Sequence, residues 1–350
     1  MEIASIIQTM PKVELHVHLE GAIQPATLLT LAQRNQIPLP ATSVEELRAW
    51  YTFQDFSRFA EVYLTISDCL RTPDDVELIA REFLAAQAAQ NIRYSEVTYT
   101  AFTHYYFRGL GFQEQLTALN RARAWASAEL GTDMGIILDI PRVIPAEAGL
   151  QIADWAINAM DDGVIALGLG GPEAGFPADK FRESFEKAHA AGLPAVPHAG
   201  ETDGATSIWS VLNDLHAVRI GHGVRCLEDE TLVETLRERQ IPLEVCPGSN
   251  VCLGVASSLA QHPLPHLLEA GLYVTINSDD PPLFNTTLTD EYLKIAETFD
   301  LKSETIQQLV LNAARATLLP QPAREKLEAE IRAWWEQNGR YRIFRKKHPV

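Results

Sequence analysis

The chain is predicted to fold as a closed parallel α/β barrel of the TIM, (β/α)8, type, on three observations. Eight short apolar runs recur along its 350 residues, separated by stretches of helix length, the alternation that builds a parallel sheet and, at eight repeats, a barrel. Candidate reactive side chains cluster at or just past the ends of those runs, where barrels of this type gather their chemistry. No Gly-, Pro- or Ser-rich linker and no repeating period divides the sequence, so residues 1–350 read as a single domain.

The first strand is expected over 13–18, where Val13, Leu15 and Val17 alternate with polar residues at the period of two that marks a strand. A helical block over about 25–90 follows. It is too long for an ordinary crossover and is read as several extra helices partly covering the barrel mouth. Further strands are expected over 92–97, 134–138, 164–169, 195–198, 218–222, 243–245 and 273–278. Helices are expected over 179–191 just after Pro177, over 207–215 and over 228–239. Residues 301–337 read as C-terminal helix, and the basic tail over about 338–350 as solvated.

Composition excludes several classes. A formal net charge of -17 opposes nucleic acid and other polyanionic partners, which need a cationic face. Neither end of the sequence resembles an export or membrane signal, so the expectation is a cytoplasmic protein. Four cysteines without a close CxxC pair fit reduced thiols. Oligomeric state leaves no mark in composition.

His16-Val17-His18 places two imidazoles on one face of the first strand, since residues two apart point the same way. His198 ends the predicted fifth strand, His222 the sixth, and Asp279 follows the eighth. Three imidazoles and a carboxylate (His16, His18, His198, Asp279) suit one zinc ion per chain with a position left for water, whose pKa zinc lowers to about 7. Glu201, three residues past His198, is placed to work at the same centre; an enclosed carboxyl there would be raised in pKa and could deliver a proton. His222 is the candidate that orients the attacking water and helps manage its proton. Asp280, beside Asp279, is placed to hydrogen-bond the substrate rather than the ion.

These segments, Lys12–Gly21, His198–Glu201, Arg219–Gly223 and Ser278–Pro282, resemble the adenosine deaminase family, in the family's order and across about residues 11–315. The resemblance implies a zinc-dependent hydrolase that converts a small-molecule 6-aminopurine to the 6-oxopurine and ammonia. Glu201 would protonate a ring nitrogen while hydroxide attacks the amino-bearing carbon, with His222 assisting. The substrate-facing set would be His18, Glu20, Gly171, whose backbone meets the purine, and Asp280, which holds the far ring nitrogen. Adenosine-specific members usually carry Asp where this chain has Glu20, at a position that faces the sugar, and a more acidic segment where it has Gly168–Glu173. Adenine-specific relatives share the Glu but usually carry a Ser-Ser-Glu run, absent here. The main expectation is adenosine or an adenosine-like nucleoside; aminodeoxyfutalosine, in menaquinone synthesis, and free adenine are the alternatives.

His104, amid Tyr99, Phe102, Tyr105 and Tyr106, has two readings: stacking on the purine, or packing beneath the helical cover. Cys246 and Cys252 read as buried thiols. A two-metal amide or phosphoester hydrolase would bridge its metals with a modified lysine, and no lysine ends a mid-barrel strand. A nucleic-acid base deaminase would carry Pro-Cys-x-x-Cys, which is absent. A catalytically dead binding barrel would have lost a ligand or the proton-transfer carboxylate, and this chain keeps both.

Overall fold

The structure, a computed structural model, describes residues 2–53 and 56–338; the basic tail expected from the sequence lies almost wholly outside the described residues. Eight parallel strands pair in sequence order: β1 (Lys12–His18), β2 (Ile92–Tyr99), β3 (Asp133–Pro141), β4 (Val164–Gly170), β5 (Ala195–Ala199), β6 (Ile220–His222), β7 (Leu243–Val245) and β8 (Val274–Ile276). Helices flank them, giving the TIM-type barrel that the alternation predicts.

The sixth and eighth strands are shorter than the sequence suggests. Val218, expected inside β6, is 41% exposed and precedes the regular pairing. β8 stops at Ile276 because the next residues close the barrel by other means. Asn277 Oδ1 accepts from the Leu15 N–H at 2.9 Å, and Glu14 Oε1 accepts from the Ser278 N–H at 3.1 Å. Asp279 then turns to φ 65°, a left-handed conformation that Asp tolerates better than most residues. Its carbonyl accepts from His18 N–H at 2.9 Å and its own N–H donates to the His16 carbonyl at 3.1 Å. The seam between first and last strands is therefore also what brings Asp279 beside both strand-1 histidines.

The block after β1 forms four helices, Pro25–Arg34, Val44–Trp50, Phe56–Ser67 and Pro73–Ala89. The last begins with a reciprocal cap between Thr72 and Asp75 and a proline in its first turn; such a cap is worth about 1 kcal/mol. Phe56, Phe59 and Tyr63 of the third helix line the cavity at the barrel mouth, three and four residues apart on one helical face. An additional helix, Ile3–Thr9, precedes β1 and buries Ile6 and Ile7. The C-terminal stretch is two helices, Ser303–Ala316 and Gln321–Asn338, as the helical reading of that stretch allows. Pro320 lies between them, and proline removes a helical donor while restricting the residue before it.

Inside the barrel, buried Arg219 pairs with Glu96 through Nη1 and with Glu244 through Nε, each at 2.6 Å. Removing one member of such a buried set typically costs about 3–5 kcal/mol, because it strands a charge away from water. No helix among the described residues is long and apolar enough to cross a membrane.

Candidate active site

The predicted ligands meet at the C-terminal mouth of the barrel. One donor atom each from His16, His18, His198 and Asp279 lies within 4.8 Å of the others. His18 Nε2 is 3.1 Å from His198 Nε2 and 3.3 Å from Asp279 Oδ1; His16 Nε2 is 3.4 Å from that same oxygen. The far sides of two rings show which nitrogens face inward. His16 Nδ1–H donates to Glu244 Oε2 at 2.8 Å, and His198 Nδ1–H donates to the Leu169 carbonyl at 3.0 Å. Each ring thus turns its Nε2 to the centre, the orientation in which histidine can ligate a metal. His16 Nε2 is buried without a hydrogen-bond partner.

Electrostatics supports the same fit. Burial disfavours an imidazolium at His16, yet Asp279 and Glu244 outweigh it and hold its pKa up at about 10. Asp279 stays well below the usual carboxylate range although burial pushes it up, because the two strand-1 imidazoles stand against it. These carboxylates call for positive charge at one buried point, which a divalent cation answers. Cys246 joins His16, His222 and Asp279 in an overlapping set. Its thiol, however, points to the Glu244 carbonyl at 3.5 Å, and burial raises its pKa far above the ordinary value, so it is not poised as a thiolate ligand.

Glu201 and His222 flank the cluster. His222 Nε2 stands 3.8 Å from Glu201 Oε1 and 3.9 Å from Asp279 Oδ2. Burial, with Asp279 and Glu173 nearby, pushes the Glu201 carboxyl well above its normal pKa, which favours its acid form. Asp280 is likewise raised by burial and by Asp279, and its Oδ1 is buried with no partner. Gly21 of the first motif makes room for it, since a Cβ there would sit 1.6 Å from Asp280 Oδ1. His18, Gly171, Glu201, His222 and Asp280 all line one cavity of about 250 Å³, as a substrate-facing set should.

Glu20 is placed differently. It is buried and accepts from the Thr100 N–H at 3.0 Å, His104 Nε2 at 3.0 Å and the Tyr63 hydroxyl at 3.3 Å. It is not among the lining side chains, whereas its partners Tyr63 and Thr100 are. His104 is buried, stacks on Tyr99 with centroids 5.5 Å apart, and holds Glu20. Of its two readings, packing beneath the helical cover is the one observed.

Three carboxylates have roles that the sequence reading missed. Glu244 joins His16 to Arg219. Glu173 accepts from the N–H groups of Gly200, Glu201 and Thr202, each at 2.8 Å, and so holds the turn that carries Glu201. Asp139, at the end of β3, lines the cavity, is 4% exposed and has Oδ1 without a partner. Burial pushes its pKa up to about 7. Its carboxylate lies over β4, where a Cβ on Gly168 or Gly170 would come within 2.9 or 2.7 Å of its oxygens. The one available signal was its position, since a carboxylate near a strand's C-terminal end is a candidate for chemistry.

A barrel with an imidazole–carboxylate cluster at its C-terminal mouth and a buried carboxyl of raised pKa beside it defines the class of metal-dependent hydrolases. The chain belongs to the adenosine deaminase family, whose model, described as adenosine deaminase, matches residues 11–334, and it is a deaminase of that family. It is 41% identical over 336 residues to an aminodeoxyfutalosine deaminase of Streptomyces avermitilis, covering 94% of this chain and 92% of that protein. It is 39% identical over 326 residues to an adenine deaminase of Chlorobium phaeobacteroides, covering 93% and 96%. The crystal structure of adenine deaminase from Arthrobacter aurescens superposes with a TM-score of 0.89 at 33% identity, covering 94% of this chain and 100% of that one. The relatives therefore favour the two alternative substrates over adenosine itself.

Proposed function

We propose that this protein is a zinc-dependent deaminase of a 6-aminopurine carrying a substituent on its five-membered ring, with aminodeoxyfutalosine as the first candidate. The observation that carries the reading is Asp139: a buried, unpartnered acid on the cavity wall, over and above the groups that a purine ring requires. The 41% and 40% identities to aminodeoxyfutalosine deaminases support it. Free adenine is the second reading, supported by Glu20 and by the 39% identical adenine deaminase.

His16, His18, His198 and Asp279 would hold the zinc, which when bound supplies Lewis-acid activation of water at neutral pH. Asp280 Oδ1 and the Gly171 backbone meet the ring and fix its orientation. Glu201, whose acid form burial favours, gives its proton to the ring nitrogen and takes one from the water that adds to the neighbouring amino-bearing carbon; the remaining hydroxyl proton then passes to the departing amino group. Ammonia leaves and the 6-oxopurine remains. Phe56, Phe59 and Tyr63 keep bulk water from the ring face.

The test is an ultraviolet assay of the purified protein against aminodeoxyfutalosine, adenosine and adenine. The expected result is the highest kcat/KM for aminodeoxyfutalosine. Fastest turnover of adenine would move the assignment to the second reading, and no spectral change with any 6-aminopurine would end the deaminase reading. Asp139→Ala is expected to lower kcat/KM for the nucleoside by roughly 10- to 100-fold, the range of one charge-assisted hydrogen bond of about 1.5–3 kcal/mol, while adenine turnover hardly moves. Equal losses on nucleoside and base would remove Asp139 from substituent recognition.

A further inference from the structure

We infer that Asn250 and His262 are positioning residues that set the tautomer of His222, so that its Nε2 carries the proton and faces the reacting centre. The inference deepens the deaminase reading of the same site and rests on it only for its kinetic consequence.

The direction of each hydrogen bond follows from one donor that cannot be reassigned. The backbone N–H of Leu264 donates to His262 Nδ1 at 3.0 Å, so that nitrogen bears a lone pair and the His262 proton is on Nε2. His262 is buried, and burial lowers its pKa to about 4, in keeping with a neutral ring. His262 Nε2–H donates to Asn250 Oδ1 at 3.0 Å. Turned the other way, the amide would set NH2 against N–H, so its orientation is settled. The amide Nδ2–H then faces His222 Nδ1 at 3.4 Å. An N–H pointing at Nδ1 leaves that nitrogen as acceptor, and a neutral imidazole has one remaining place for its proton.

That place is Nε2, which stands between Glu201 Oε1 and Asp279 Oδ2. His222 therefore enters the reaction as a neutral donor. It can hold a water oxygen or a developing oxyanion, and it does not start as a base. Neither Asn250 nor His262 lines the cavity, and both are buried, so they act through His222 alone. The chain spans three segments: the helix Pro247–Cys252 after β7, the turn before Pro263, and β6.

Asn250→Asp is the informative substitution. It keeps size and the bond from His262, but it offers an acceptor to His222 Nδ1 and draws the proton away from Nε2. In the zinc-loaded variant kcat is expected to fall by roughly 10²-fold or more, as general acid–base contributions do when misaligned, with KM little changed. His262→Ala frees the amide to turn and should cost less. The direct readout is ¹⁵N NMR of histidine-labelled wild-type enzyme, with the His222 signals identified by their loss in His222→Asn. The expected spectrum shows a protonated Nε2 and a bare Nδ1 on His222. A proton on Nδ1 would overturn the inference, as would a zinc-loaded Asn250→Asp enzyme with unchanged kcat. If Asn250→Asp does not fold, the wild-type spectrum decides alone. That spectrum needs no substrate, so failure of the deaminase reading would be seen separately, as wild-type enzyme inert to every 6-aminopurine.

Discussion

Glu201→Gln is expected to fold, to hold its metal, and to release ammonia roughly 10²–10⁴-fold more slowly than the native enzyme, the range that one positioned proton donor contributes. The substitution is nearly isosteric and leaves the backbone N–H of residue 201 on Glu173 Oε1 at 2.8 Å, so the turn after β5 has no reason to move. What it removes is an acidic proton. Burial and the Asp279 and Glu173 carboxylates raise the native carboxyl far above its ordinary pKa; an amide N–H in that place can hydrogen-bond but cannot transfer its proton. The loss should therefore lie in kcat, with KM for the purine little altered. Metal analysis and single-turnover ammonia release check it together. Undiminished turnover at full metal content would take Glu201 out of the mechanism.

Asp279→Ala is expected to strip the protein of metal and, with it, of activity. Asp279 Oδ1 lies 3.4 Å from His16 Nε2 and 3.3 Å from His18 Nε2, and it is the one carboxylate in the predicted ligand set. Without it three neutral imidazoles would have to hold a divalent ion in a buried site with less opposing charge. Loss of a partner one shell out already costs about 10- to 100-fold in affinity, so loss of the ligand itself should exceed that. Ala at φ 65° adds backbone strain that Asn tolerates better. Asp279→Asn is therefore the control: it should fold as the native protein does and still bind metal poorly. Metal content after dialysis, read beside the thermal midpoint, separates the two effects. A fully loaded, folded Asp279→Ala protein would show that the carboxylate is not a ligand.

The two positions differ in how they could be found. Glu201 is legible because His198 and Glu201 sit three residues apart at the end of one strand, so a local pattern carries both. Asp279 is legible as a residue type after a strand, but its partners are not. Its place beside His16 and His18 depends on seam bonds such as Leu15 to Asn277, which join residues 262 apart. Strand limits show the same division. The first five strands end close to where apolar alternation ends, whereas β8 stops early because the Asn277 side chain accepts from the Leu15 backbone N–H and the Ser278 N–H donates to the Glu14 side chain.

The sequence by itself determined the barrel, the helical cover after the first strand, the four candidate ligands and the acid beside them, because each is written in residue type and in position along or just after one strand or helix. Only the tertiary structure decided which nitrogen of each histidine faces inward, that Glu20 is held by His104 while Asp139 reaches the cavity, and that Asn250 and His262 stand behind His222. Those outcomes are hydrogen bonds and close approaches between segments far apart in the chain. Barrel closure sets them, and no periodicity within a single segment encodes them.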